Sequence, residues 1–108
     1  DTTVADNQGV GIFMNGPYGR ASGRAVVYGE GNLFTLALEN VSISNGPDLH
    51  VYLSKERIPV NFIDLGRLQS IAGNQLYPIP GRPDFSQYKY ALIHCQRYNH
   101  LFGSAELQ

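Results

Sequence analysis

The residues best suited to carry out chemistry are the single cysteine, Cys95, and the histidine beside it, His94. They are the last two residues of an apolar stretch, residues 88–95, that predicts a central strand covered on both sides. A free cysteine in such a strand is most simply a small buried hydrophobe. Redox chemistry instead needs a partly exposed, readily ionised thiol, since an unperturbed thiol has a pKa of about 8.5. Consecutive strand residues face opposite sides, so direct contact between the two side chains requires a bulge or a strand end.

A second polar pair, Asp48 and His50, lies in the segment NGPDLHVYLS at residues 45–54. Asn-Gly-Pro-Asp predicts a rigid turn, and the alternation that follows predicts a strand with one face on the core. His50 and Tyr52 would then share the outer face. Asp48 and His50 most simply serve the turn and that face, and an acid/base or metal pair is the alternative.

Other kinds of chemistry find little support. A structural zinc site is not expected, because there is no Cys-x-x-Cys and the three histidines are separated. No Cys-x-x-Cys-His motif is present, so any haem would be noncovalent, with a cysteine or histidine as axial ligand. The sequence also lacks Gly-x-Ser-x-Gly and a glycine-rich phosphate loop. Stand-alone catalytic activity is therefore not expected.

Length and charge restrict the class of protein. The 108 residues suffice for one domain, and eight basic against nine acidic residues give a net charge of −1. The arginines are scattered along the chain, which argues against a nucleic-acid partner. No apolar run of about 18 residues predicts a transmembrane segment.

The order of apolar stretches and turn signals predicts an all-β fold. Twelve glycines, six prolines and about eight short alternating segments favour an antiparallel β-sandwich, with a small β-barrel as the alternative. Residues 1–9 are polar and predict a flexible leader or tether, and residues 10–108 predict the single domain. Residues 72–74 predict a turn. Residues 75–79 predict an edge strand, because Pro78 lacks an N–H.

Three groups of segments resemble the DM13 domain family, over about residues 13–107. The first is Ala-Ser-Gly at residues 21–23, and the second runs from LENV at residues 38–41 through NGPDLHVYLS. The third comprises DLGRL, GNQLYPIP and His94-Cys95, followed by FGSAEL. This chain departs from the family pattern at Gly19, where many members carry a histidine, and at His94, which replaces an aromatic residue.

The resemblance implies an extracytoplasmic β-sandwich module, often found beside DOMON or cytochrome-type domains. It implies a redox or electron-transfer role centred on the family cysteine, here Cys95, as a bare thiol or as a ligand to a prosthetic group such as haem. His94 is then the second candidate for cofactor binding. A redox partner and a periplasmic or cell-surface location, with a lipid anchor upstream as in a lipoprotein, complete this expectation.

A noncatalytic binding or structural module is the alternative function. Cys95 would then be a core residue, and an exposed surface would recognise protein or carbohydrate. The seven tyrosines could line such a surface, although tyrosine is also ordinary packing in a thin β fold. An accessible, reactive Cys95 favours redox chemistry, and an inert one beside an exposed aromatic patch favours binding.

Overall fold

The structure, a computed structural model, describes residues 6–108, which form eight β-strands and no helix. The strands are β1 (Asp6–Asn15), β2 (Ala21–Glu30), β3 (Leu33–Ile43), β4 (Leu49–Ser54), β5 (Ile63–Arg67), β6 (Ala72–Ile79), β7 (Tyr90–Cys95) and β8 (His100–Glu106). This confirms the predicted all-β class. The strand β1 begins before the expected domain boundary at residue 10, and the rest of the predicted leader, residues 1–5, lies outside the described residues.

All eight strands form one sheet with the order β5-β4-β7-β8-β1-β2-β3-β6, and every neighbouring pair is antiparallel. The two end strands, β5 and β6, contact one another, so the sheet is a nearly closed barrel. It therefore matches the small-barrel alternative. Within residues 6–108 there is no helix that could cross a membrane.

Local sequence explains several of these elements. Gly31 has a φ of 63°, which lets the chain turn tightly between β2 and β3. In β3, Leu36 and Leu38 enter the core while Ala37 lies on the other face, as the period of two predicts. β6 lies at the end of the sheet order, which confirms the edge strand predicted from Pro78.

One local prediction is wrong. Residues 72–74 belong to β6 and not to a turn, since Gly73 pairs with Val41 of β3. The register between the two strands shifts between Leu38 and Val41, where β3 has one residue more than β6. The β-bulge therefore lies on β3 and includes Asn40, whose φ is 53°.

The interior of the barrel is apolar, and β4 and β7 are neighbouring strands of its wall. Every residue of β4 is buried, and β7 is buried from Ala91 to Cys95. Alternate residues of the pair enter the core, among them Val51 and Ile93, which face each other in the register. These two strands therefore position the residues that carry the candidate chemistry.

Candidate functional site

Cys95 is the last residue of β7, and its side chain belongs to the apolar core. It is a free cysteine with 1% of its surface exposed. In the register it lies opposite Leu49 of β4 and His100 of β8. The thiol is therefore in a dry environment. Only the end of the strand separates it from an exposed turn at residues 96–99.

His94 is also buried, but on the outer side of β7. Its Nε2 lies 2.8 Å from Oδ1 of Asn99. An amide oxygen only accepts, so this nitrogen carries the proton and Nδ1 keeps a lone pair. Nδ1 is buried and has no hydrogen-bond partner among residues 6–108. Burial lowers the pKa of His94, and nearby His100 lowers it further. The imidazole is therefore held in its neutral form near neutral pH.

His50 lies opposite His94 in the register and between two carboxylates. Its Nδ1 is 3.1 Å from Oδ1 of Asp64, and its Nε2 is 3.3 Å from Oδ1 of Asp48. The Arg67 guanidinium lies 3.5 Å from the same Asp48 oxygen. That oxygen is buried and has no aligned hydrogen bond within the described chain, so its contacts are mainly electrostatic. The cluster joins the turn before β4 to strand β5.

Tyr52 connects the two histidines on this outer face. Its ring stacks on Phe62 with centroids 4.2 Å apart, and it lies 5.5 Å from the His94 ring. The Gln96 amide donates to the Tyr52 hydroxyl at 2.9 Å and lies 3.4 Å from Oδ2 of Asp64. Burial raises the pKa of Tyr52. The outer face is thus packed and polar, in contrast to the dry face that holds the thiol.

Residues 96–99 form the turn between β7 and β8. Gln96, the first residue of the turn, is held in place because its backbone N–H donates to the carbonyl of Asp48 at 2.9 Å. Asn99, the last residue of the turn, is held in place by the hydrogen bond between its side-chain oxygen and the His94 ring. Its φ of 54° is a conformation that asparagine tolerates better than most residues. All four turn residues are exposed. A few polar contacts therefore hold the turn that follows Cys95.

A haem held by the predicted ligands does not fit this arrangement. Cys95 and His94 lie on opposite faces of β7, so they cannot ligate the same iron. Both are nearly fully buried, and neither lines the three grooves described for residues 6–108.

The described part of the chain also contains no group of three His, Cys, Asp or Glu residues arranged to hold a metal ion. The Asp48 and His50 pair instead takes part in the ion-pair cluster with Asp64 and Arg67. Both ring nitrogens of His50 face carboxylates, which leaves neither free to bind a metal.

Sequence reasoning missed several residues of this region. Gln96 and Asn99 hold the turn that follows Cys95, and His100 stacks its ring on Tyr18 with centroids 3.7 Å apart. Only Asn99 carried a signal, since asparagine is common where φ is positive. The other contacts join segments that are far apart in the sequence.

Comparison with known proteins gives one match. A family model described as electron transfer DM13 matches residues 14–107, a range that includes the thiol, the turn and the outer network. No curated protein and no solved structure matches the chain.

Proposed function

Because the chain belongs to the DM13 family of electron-transfer domains, we propose that it is a redox module whose Cys95 thiol exchanges electrons with a disulfide of a partner protein. The observation that carries the proposal is the position of this sole cysteine. It is the last residue of β7, and the exposed turn at residues 96–99 follows it directly in the chain. Opening of one turn would expose the sulfur while the rest of the barrel stays folded.

The electron transfer is a thiol–disulfide exchange. In the open state Cys95 gives its proton to water, and the thiolate attacks one sulfur of the partner's disulfide. A new S–S bond forms, the partner's bond breaks, and its second sulfur leaves as a thiolate. Cys95 is oxidised and the partner is reduced. A second thiol, such as that of glutathione, then attacks the partner's sulfur in the mixed disulfide, so that Cys95 leaves as a thiolate and the attacking thiol takes its place in the disulfide.

The turn is the gate of this reaction. Gln96 is held by the carbonyl of Asp48, and Asn99 by the ring of His94. A net hydrogen bond is worth about 1 kcal/mol, so removing one of these contacts should raise the open population about fivefold. The closed turn protects the thiol from indiscriminate oxidation, and the open turn presents it to a partner.

The test is reaction of the reduced native protein with oxidised glutathione, followed by mass spectrometry of the intact chain. Three variants accompany the wild type: Cys95→Ser, Asn99→Gly and Asn61→Gly. Asn99→Gly keeps the positive φ and removes the bond to His94. Asn61→Gly is the matched control, because Asn61 also has a positive φ, 49°, but lies in another loop.

The proposal expects glutathionylation of the native wild type, none in Cys95→Ser, and faster reaction in Asn99→Gly than in Asn61→Gly. Reaction that occurs only after unfolding, in the wild type and in both glycine variants, would overturn it. Equal rates in the two glycine variants would overturn the role of the turn as the gate.

We further propose that the domain works outside the cytoplasm, tethered to a membrane surface by a lipid anchor upstream. Disulfides persist in oxidising compartments, where a thiol of this kind would meet them. The test is fractionation of cells that express the full-length gene product, with protease added to intact cells. Protection of the domain from protease in intact cells and spheroplasts would contradict this location.

A noncatalytic binding function has one observation in its favour. The outer face of β2, β3 and β6 carries a groove of about 1110 Å³, with Ile12 and Leu76 exposed beside buried Ala37. Arg24 and Glu39 form an ion pair at 2.7 Å along it. An apolar floor beside paired charges suits a neutral sugar chain. Calorimetric titration with neutral hexasaccharides tests it, and heat that Ala37→Trp leaves unchanged would count against the groove.

A further inference from the structure

Three aromatic rings lie together on the surface at the end of the barrel where β7 and β8 meet. The rings of Tyr18 and His100 are parallel, with centroids 3.7 Å apart and an interplanar angle of 3°. The Tyr98 ring lies 6.0 Å from that of His100. Tyr18 is 58% exposed and Tyr98 is 55% exposed. We call these three residues the ring patch.

The ring patch is held rigidly by the loop between β1 and β2. The Gly16 N–H donates to the carbonyl of Phe102 at 2.8 Å, and the Tyr18 N–H donates to that of Leu101 at 3.2 Å. A Cβ at Gly19 would come within 2.5 Å of the Phe102 ring, so glycine is needed for this close approach. An exposed ring that is already fixed loses little side-chain freedom when a partner binds.

Positive charge accompanies the rings. Arg20 and Arg97 are exposed, and within residues 6–108 neither makes an ion pair. The Arg97 guanidinium lies 6.0 Å from the Tyr98 ring. The two carboxylates at this end of the barrel, Asp48 and Asp64, already face partners in the ion-pair cluster. Arg97 therefore places a cation without an ion-pair partner beside the ring patch, and Arg20 follows Tyr18 by two residues in the loop between β1 and β2.

The shape of the region favours a macromolecule over a small ligand. Small-molecule sites are concave, and none of the three grooves described for residues 6–108 is lined by the ring patch. Tyrosine and arginine are also the residue types that carry most binding energy in protein interfaces. Cys95 lies opposite His100 in the register, so a protein seated here would lie beside the turn that follows the thiol.

We propose that the ring patch, with Arg20 and Arg97, is the docking surface for the acidic face of a protein partner. The rings supply contact area, and the arginines steer an anionic surface towards them. The identification of that partner as a redox protein rests on the proposed function, but the docking itself does not require a reactive Cys95. The partner would be placed at the end of β7 where the exchange occurs.

The test is a titration of the isotopically labelled protein, followed by NMR of its backbone amides at low salt. The first probe is an oxidised thioredoxin chosen for an acidic surface, and a basic c-type cytochrome and polyglutamate serve as comparison probes. The variants are Tyr98→Ala and Arg97→Gln. Their matched controls at the opposite end of the barrel are Leu33→Ala, a residue 76% exposed, and Arg82→Gln.

The expected result is that the acidic thioredoxin shifts the amides of residues 16–20 and 96–100, while the cytochrome does not. Tyr98→Ala and Arg97→Gln should each weaken binding by about fivefold or more, and the two controls by less than twofold. Added salt should weaken binding throughout. Shifts centred elsewhere, equal weakening by the controls, or equally tight binding of polyglutamate would overturn the docking surface.

Titration of Cys95→Ala separates the two proposals. Unchanged docking of this variant is expected, because the sulfur is buried and contributes no contact to the surface. If docking maps to the ring patch while native glutathionylation of Cys95 fails, the docking surface stands and the redox function falls. If glutathionylation succeeds while docking fails, the opposite holds.

Discussion

The two faces of the strand pair β4 and β7 are both buried, yet they offer opposite environments. The inner face is dry and apolar, and its residues include Val51, Ile93 and Cys95. The outer face carries His50, Tyr52 and His94, which lie within a network of hydrogen bonds and ion pairs. Neighbouring residues of one strand thus meet different surroundings.

This difference separates two groups that are adjacent in sequence. The thiol of Cys95 cannot use the His94 imidazole as its base, because the strand directs the two side chains to opposite sides. The outer network is connected to the turn that follows the thiol, because Gln96 and Asn99 form hydrogen bonds with Tyr52 and His94. Side chains on the outer face therefore hold the turn in place, and the inner face buries the thiol.

The largest effect should come from a cavity on the inner face. Leu53→Ala should lower the free energy of unfolding by about 2–5 kcal/mol, because Leu53 is fully buried in the core cluster. Urea unfolding followed by circular dichroism measures it. A loss below about 1 kcal/mol would show that this face is not the dry core described.

The next effect distinguishes a dry thiol from a hydrated one. Cys95→Ser should lower stability by about 1–3 kcal/mol, because it buries a hydroxyl in an apolar site. Cys95→Ala should be the milder change, since it adds no polar group. The same unfolding experiment compares them. Serine tolerated as well as alanine would mean that water or a polar group reaches this position.

A smaller effect is expected on the outer face. Tyr52→Phe removes the hydroxyl that accepts from Gln96 and should lower stability by about 1 kcal/mol. Tyr98→Phe is the matched control, because Tyr98 is 55% exposed and should change stability by less than about 0.5 kcal/mol. Equal effects of the two variants would contradict a structural role for the outer network.

The smallest effect is a pH dependence from His94. Burial lowers its pKa below the usual 6.5. Between the folded pKa and about pH 6.5, the unfolded chain binds more protons at this histidine than the folded chain does. The free energy of unfolding therefore falls as the pH drops from about 6.5 towards the folded pKa. Above about 6.5 His94 contributes no slope.

His94→Gln isolates this contribution from that of the other histidines. The variant should flatten the dependence of the unfolding free energy between about pH 5 and 7, measured by urea unfolding at several pH values. A slope unchanged by the substitution would show that His94 titrates normally in the folded state.

Much of the fold was predictable because it depends on short-range pattern. Alternation in β4 predicted which of its side chains enter the core, and Pro78 predicted an edge strand. The turn predicted at residues 72–74 was wrong because pairing with β3, through a bulge, overrode the local signal of Gly73.

The candidate site was predictable only in part. Period two separated His94 from Cys95 in advance, and the family resemblance is confirmed by the match over residues 14–107. The side-chain contacts within the site could not be predicted, because the order of the strands in the sheet brings these residues together. Examples are the contact of Gln96 with Asp64 and the stacking of His100 on Tyr18. Roles for Cys95 and His94 in redox chemistry or cofactor binding stay predictions.

Opening of the turn is best tested by the rate at which a thiol reagent labels Cys95 as urea is raised within the range where the protein stays folded. Opening of one turn exposes little surface, so labelling should be slow, should hardly change with urea and should be accelerated about fivefold by Asn99→Gly. A rate that rises with urea as steeply as global unfolding does, in wild type and variant alike, would contradict it, because the thiol would then be reached only when the whole barrel unfolds.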